Sequence, residues 1–332
     1  MAESAAALPP LPLDATVSVV IPARNSAATL DVAVAAVVAQ QPRPDELIIA
    51  VGPSDDHTWE RASLLAARHD GLVRVVANPS GRTPDALNAA ITASTGQVVA
   101  RVDAQAVIPP GYLATAVQAL RETGAANVGG RQVPTAENGF ARAVAAAMRS
   151  PAGTGGAAYR SGEVPGPVDT VYLGVFRRAA LDVVGGFDPV FTRNQDAELN
   201  LRLVRAGYTV WLEPSLAVLY RPRASVFGLA RQYLEYGRWR RRTARTHPGS
   251  LRARQLAAPA LVLGLGASGI LSLLVRDARP WGGALGGYLA AVGVAGAHAA
   301  EKPVDVPATA LALVTMHLSW GAGFLLGPPR ER

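Results

Sequence analysis

The 332 residues contain no cysteine, which excludes disulfides, thiolate metal sites and cysteine nucleophiles. Charged residues are scarce at 17%, while 49% of the chain is hydrophobic. A chain of this length and composition can bury one large core and still have apolar sequence left over. The first 15 residues hold no basic cluster ahead of an apolar core. No cleaved leader is therefore expected, and what precedes the first membrane segment is expected to stay cytoplasmic. No Gly-any-Gly-any-any-Gly follows the first strand-like run, which disfavours a Rossmann oxidoreductase.

What is present is unevenly placed. The net charge is +7, yet residues 221–254 hold ten arginines against one acid, Glu235, a local +9 that leaves the rest of the chain at −2. Basicity confined to one patch argues against a general nucleic-acid binder, and no nucleic-acid partner is expected.

Up to about residue 212, strand-like and helix-like stretches alternate. Residues 17–21, 47–51 and 73–77 are β-branched or apolar runs, and 27–40, 58–69 and 84–94 have helical composition between and after them. Thr83 is the expected N-cap of the last, with Pro84 at its first position. Such alternation predicts an α/β fold: a mostly parallel sheet covered by helices on both faces, without internal repeats or low-complexity linkers. Beyond it, 127–133, 171–176 and 208–212 read as strands and 139–148 and 195–205 as helices, with Gly185-Gly186 stopping a short helix. The glycine-rich stretch 151–167 reads as a long mobile loop, and 153–166 as a lid over a bound ligand.

Two acidic foci stand out. Val98-Val99-Ala100 followed by Arg101 and Asp103 reads as a buried parallel strand that delivers Asp103 to its carboxyl edge, where open α/β sheets bind ligands; an aspartate there is also an ordinary turn former. Asp196 and Glu198 fall in the first turn of a helix, where the dipole favours carboxylates, either as caps or as groups able to take a proton.

After residue 222 the chain changes character. Residues 221–247 interleave arginines with Phe227, Leu229, Tyr233, Leu234, Tyr236 and Trp239, a pattern for an amphipathic helix on an anionic membrane face, with arginines also free to grip phosphates. Residues 256–275, 281–300 and 306–327 are uncharged and long enough to span. The preceding arginines place that end inside, and three spans would leave Arg330 and Arg332 outside, which counts against three. His298 and His317, within apolar segments, read as packing or interfacial residues. The expected layout is a disordered 1–15, a catalytic domain over 16–222, a basic amphipathic juxtamembrane helix over 223–254 and two or three transmembrane helices over 255–328.

In order, the blocks Val17-Ser18-Val19-Val20-Ile21-Pro22-Ala23-Arg24-Asn25, Ser54-Asp55-Asp56-His57-Thr58, Asn78 through Asn88, Arg101-Val102-Asp103-Ala104-Gln105, Val168 through Gly174, Gly185-Gly186-Phe187-Asp188, Asn194 through Asn200 and Arg231 through Trp239 resemble the family 2 glycosyltransferases of the GT-A fold. Within them the likeness is to the succinoglycan-type exopolysaccharide glycosyltransferases. The resemblance implies a hexosyltransferase-type, inverting enzyme on the cell membrane. It would move a sugar from a nucleotide-sugar donor, a UDP-sugar foremost, to a polyprenyl-diphosphate-linked or other membrane glycan on the cytoplasmic face.

By the same resemblance Pro22, Ala23, Arg24, Asn25, Asp55, Asp56, Arg82, Asn88, Arg101 and Asp103 lie on the donor side. The acid that reads the base after the second strand is missing or displaced to Asp55 or Asp56, because Val51, Gly52 and Pro53 occupy its place. The family's Asp-any-Asp metal motif becomes Asp103-Ala104-Gln105, implying a divalent cation (Mg2+ or Mn2+) held by Asp103 and Gln105, though a glutamine carbonyl brings no charge. Asp196 falls on the catalytic base, with Glu198 beside it as a further catalytic or acceptor-side group. Neutral Gln195, where the family has glutamate, is expected to leave Asp196 more readily ionised. Gln232, Arg238 and Trp239 match an acceptor- and membrane-side element with altered spacing. The rival readings are a non-catalytic membrane scaffold, motivated by Gln105 and the lost acid, and a nucleic-acid-binding membrane protein.

Overall fold

A computed structural model describes residues 8–137, 139–156 and 162–328. The chain forms two compact units, one of residues 1–132 and 162–219, the other of 133–161 and 220–332.

The first unit is built on an eight-stranded sheet. Its strands are β1 (Val17–Ala23), β2 (Glu46–Val51), β3 (Val73–Ala77), β4 (Val98–Arg101), β5 (Asn127–Gly130), β7 (Gly166–Pro167), β8 (Tyr172–Arg177) and β9 (Val210–Leu212), and β6 (Gln132–Pro134) and β10 (Val218–Tyr220) form a two-stranded sheet of their own. The order is β3-β2-β1-β4-β8-β5-β9-β7. The first four strands are mutually parallel; β8 runs antiparallel to both β4 and β5. Strands buried on both faces need apolar residues, which is why β2 and β4 are apolar apart from one charged residue at an end, Glu46 and Arg101. Helices Thr58–Arg68 and Thr83–Ala93 both pack on β2 and β3.

Several expectations need adjustment. Arg82, not Thr83, is the N-cap of helix Thr83–Ala93. The expected strand over 127–133 is divided into β5 and β6, and at Gly130 a Cβ would stand 1.5 Å from the Leu216 oxygen. The expected mobile loop over 151–167 holds a short helix, Pro151–Thr154, capped by the Ser150 side chain, and strand β7 paired with β9; residues 157–161 of the expected lid lie outside the described residues. Within the expected disordered N-terminus, Pro12 and Leu13 are held: Arg121 donates to their carbonyls at 3.0 and 2.6 Å. Residues 1–7, and Arg330 and Arg332, fall outside the described residues.

At the amino end of the sheet Glu46 is buried. It accepts from Ser18 Oγ at 2.7 Å, Arg74 Nη2 at 2.6 Å, Thr95 Oγ1 at 3.0 Å and the Gly96 N–H at 3.2 Å. A Cβ on Gly96 would sit 2.4 Å from Ser18 Oγ, so this position admits only glycine.

The second unit is helical. Helix Val306–Leu326 packs against Val226–Thr246, Ala257–Val275, Arg279–Ala299 and Gly139–Arg149. Glycines set the closest approach: a Cβ on Gly237 would lie 2.1 Å from the Trp320 oxygen, and one on Gly323 2.1 Å from the Leu234 oxygen. Arg142 forks onto both Asp305 oxygens at 2.8 and 2.7 Å. The two histidines have partners: His317 lies 3.1 Å from the Tyr288 hydroxyl and 2.9 Å from the Ala152 carbonyl, and His298 2.8 Å from the Val294 carbonyl. Among the described residues, two stretches are long and apolar enough to cross a membrane, Ala253–Val275 and Pro303–Leu326, with mean hydropathies of 2.0 and 1.5. The third expected span forms helix Arg279–Ala299, whose six glycines make it less apolar.

Candidate active site

β4 ends at Arg101, and Asp103 follows just beyond its carboxyl edge. Successive residues of extended chain alternate faces, so positions two apart share a side, and Arg101 reaches Asp103: Nε donates to Oδ1 at 2.9 Å and Nη2 at 2.8 Å. The other end of the guanidinium donates from Nη1 to Asp196 Oδ1. Asp196 enters from helix Gln195–Arg205, whose preceding residue, Asn194, is left-handed at φ 63°. Two carboxylates 93 positions apart in the sequence thus meet on one guanidinium, whose side chain is only 7% exposed.

Electrostatics follow from this triad. Burial would lower the Arg101 pKa, but Asp103 and then Asp196 reverse that and hold it above the usual arginine range. Asp196 moves upward: burial raises its pKa, Arg101 pulls it down, and Asp103 pushes it up again. A third of its side chain, 34%, still meets solvent, so dense surroundings rather than full enclosure supply the burial. Neutral Gln195 adds no like charge, but burial, and Asp103 after it, still push Asp196 upward. Tyr172 and Tyr112 are also pushed above the usual tyrosine range by burial first and by Asp103 second.

Backbone strain gathers in the same blocks. Of the four non-glycine residues with positive φ among the described residues, Asn25, Leu173 and Asn194 lie in the motif segments, where strain marks a geometry that the surroundings enforce. Leu173 is held by its carbonyl, which accepts from the Tyr112 hydroxyl at 2.9 Å.

Other expected site residues serve the scaffold. Arg24, after β1, donates to the Pro53 and Gly81 carbonyls at 3.1 and 3.3 Å, joining three loops at the carboxyl edge. Asn25 accepts from the Asp55 N–H at 2.8 Å. Asp56 accepts from the Ala27 and Thr58 N–H groups at 3.0 and 3.1 Å and from the Thr58 hydroxyl; these bonds hold its pKa below the usual range, the Thr58 hydroxyl contributing most. Its carboxylate closes a turn and, like Asp55, is exposed. Arg82 pairs with Asp85 at 2.6 Å on the surface. Asn88 grips the Phe187 backbone, so its amide faces the fold and not a donor. Glu198 is 1% exposed and ion-paired with Arg202 at 2.7 Å, a lock within one helix that removes it from the catalytic set. Pro22 and Ala23 lie on β1 beside Ala50 and Val51.

A hollow of about 320 Å³ opens at the carboxyl ends of β2 and β3, lined by Gly52, Pro53, Asp56, Trp59, Glu60 and Asn78 among others. Asp103 and Asp196 are not among its lining residues. Trp59, 48% exposed, belongs to no motif; a large aromatic on the outer face of an otherwise polar helix start was the available signal.

Gln232, Arg238 and Trp239 lie in the second unit. Gln232 donates to the Tyr220 and Tyr236 hydroxyls, both at 2.9 Å, Arg238 pairs with Glu235 at 3.5 Å, and Trp239 is buried with the Arg242 guanidinium 5.7 Å from its ring centre.

For a divalent cation the donor set is small. Among the described residues no three His, Asp or Glu side chains cluster. Asp103 supplies a carboxylate whose Oδ1 is taken by Arg101, and Gln105, exposed two residues on, supplies a carbonyl. These fit a hard cation that draws its remaining oxygens from phosphates and water.

Residues 18–185 match the model of glycosyl transferase family 2. The chain belongs to that family. This glycosyltransferase is 31% identical over 312 residues to the succinoglycan biosynthesis protein ExoA of Rhizobium meliloti (strain 1021), covering 92% of this chain and 93% of that one. Its fold is similar to the mannosyltransferase PcManGT from Pyrobaculum calidifontis in complex with GDP-Man and Mn2+, with a TM-score of 0.63 at 20% identity over 95% of this chain and 89% of that one. The architecture is thus the GT-A type expected from the sequence, and the chain is a transferase.

Proposed function

We propose that this family 2 enzyme is an inverting glycosyltransferase that moves a sugar from a nucleotide-sugar donor to a lipid-linked or otherwise membrane-associated glycan in exopolysaccharide or cell-envelope assembly. One observation carries the reading: Asp103 and Asp196 converge at the carboxyl edge of the parallel strands through Arg101.

Asp196 takes the proton of the acceptor hydroxyl while that oxygen bonds to the anomeric carbon and the carbon–phosphate oxygen bond breaks. The proton ends on Asp196 and the nucleoside diphosphate leaves. A base whose pKa is raised towards the working pH gains driving force for proton transfer while remaining ionised. Asp103 and Gln105 would hold a divalent cation, which when bound neutralises charge on the departing diphosphate. Arg24 keeps the loops after β1, β2 and β3 together on the donor side.

The membrane setting rests on the two apolar stretches. Only 6% of the first is buried within the protein, so lipid is its natural cover. The basic residues 221–254 then lie at an anionic cytoplasmic leaflet, and two spans return the chain to that side. A UDP-sugar is the first donor to try, as the sequence resemblance implies, and a GDP-sugar the second, because PcManGT is in complex with GDP-Man.

Full-length protein in nanodiscs, given UDP-, GDP- and dTDP-sugars with a polyprenyl-phosphate lipid extract and Mg2+ or Mn2+, is expected to release nucleoside diphosphate and label lipid. An Asp196→Asn protein that still binds donor and transfers at the wild-type rate overturns the assignment of the base.

A further inference from the structure

We propose that Arg101 is a positioning residue: one buried guanidinium that clamps Asp103 of the leaving-group side and Asp196, the base, in a fixed mutual geometry. The proposal rests on the transferase reading of this site and adds how its two halves are held.

The observations are geometric. Arg101 closes β4, registered against Val20 of β1, and is therefore anchored by the sheet core. Asp196 begins a helix whose N-cap residue makes no side-chain capping bond. The Arg101–Asp196 pair ties the first turn of that helix to the sheet edge, while Arg202, paired with Glu198 of that same turn, donates to the Val184 and Gly186 carbonyls. Asp103 holds the guanidinium from the other side at 2.8 and 2.9 Å. Without a cation between them, two carboxylates this close repel, and each would swing towards solvent. Only a planar fork can serve both at once; a lysine reaches one carboxylate as a point charge.

The chemistry requires such a clamp. The base must face the acceptor oxygen on the side of the anomeric carbon opposite the diphosphate, and a misplacement of about 1 Å costs on the order of 100-fold in rate. A residue that acts by alignment therefore governs kcat and leaves nucleotide affinity nearly untouched.

The test compares full-length wild type, Arg101→Met, Arg101→Lys and Asp196→Asn in nanodiscs. Hydrogen exchange is expected to accelerate in Arg101→Met over residues 194–199 while β1, β2 and β4 keep their protection. UDP and GDP affinities by calorimetry are expected to stay within about threefold of wild type, under 1 kcal/mol. With whichever donor wild type consumes, kcat is expected to fall by about 100-fold in Arg101→Met, with KM for donor little changed and partial recovery in Arg101→Lys. Unchanged exchange at 194–199, or an unchanged kcat, overturns the clamp; so does loss of protection across the whole sheet with kcat and affinity falling together, which marks a merely structural arginine. If Asp196→Asn transfers at the wild-type rate, or wild type consumes no donor, the transferase reading fails, and the exchange result still decides the clamp.

Discussion

Asn88 clasps the backbone of Phe187 from both sides, its Nδ2 donating to the carbonyl at 2.7 Å and its Oδ1 accepting from the N–H at 2.9 Å. The contact joins helix Thr83–Ala93 to the Gly185-Gly186-Phe187 turn, where Gly186 is left-handed at φ 69° and a Cβ would stand 2.9 Å from Asn88 Oδ1. Asn88→Ala leaves two buried backbone groups unpaired and is expected to cost about 1–3 kcal/mol of stability. Thermal melts are expected to show that loss while donor KM stays near wild type. A raised KM with an unchanged melt would return Asn88 to the donor side.

Asp196 must be ionised to accept a proton, so the rate of nucleoside diphosphate release rises with pH through its pKa. That pKa lies above the usual carboxylate value, through burial first, with Arg101 opposing and Asp103 adding to it. Asp103→Asn deletes the like charge and keeps the Arg101 attraction. Its residual activity is therefore expected to hold to lower pH, the acid limb shifting downward from wild type. A profile measured from about pH 4 to about pH 8 reads the shift; an unmoved or upward limb means that Asp196 is not the titrating base.

Much of this architecture was legible because apolar runs and carboxylates advertise themselves. Residues 73–77 and 195–205 read off the sequence with the boundaries that the fold shows, since Pro, Gly and helix-start acids mark their ends. The short β10 went unread: three residues, with Leu219 exposed, give no alternation to count. Site roles were harder. Asp56, Asn88 and Glu198 have the residue types of function, but a sequence does not show partners, and their partners are Thr58, Phe187 and Arg202. The Arg101–Asp103 pairing had a readable signal, two residues of opposite charge on one side of extended chain. The link onward to Asp196 is long-range and had none.

Glu46 makes stability pH-dependent at the opposite end of the sheet. Burial opposes its ionisation, but hydrogen bonds from the Thr95 N–H, Ser18, Arg74 and the Thr95 hydroxyl outweigh it and hold the pKa at about 2, against an ordinary 4.5. A folded pKa below the unfolded one stabilises above the unfolded value and is lost as pH falls towards the folded one. At neutral pH the shift is worth at most about 3 kcal/mol. Glu46→Gln is expected to melt well below wild type at neutral pH, and the gap is expected to narrow from pH 4.5 downward. A gap that stays constant with pH would mean that packing, not charge, sets the effect.

In the helical unit, stability depends on residues that add no side chain at all. Helices Val226–Thr246 and Val306–Leu326 touch backbone to backbone at Gly237 and Gly323, where a Cβ would lie 2.1 Å from the Trp320 and Leu234 oxygens. Neither oxygen can yield without moving its helix, so Gly237→Ala and Gly323→Ala each force the pair apart, at about 1–3 kcal/mol or more. Both glycines line one seam, and separation caused by the first substitution makes room for the second. The double variant is therefore expected to lose less than the sum of the singles. Melting of the four proteins in nanodiscs measures the coupling. Additive losses would show that the two contacts yield independently, and wild-type melting in either single variant would show that the helices do not meet at that glycine.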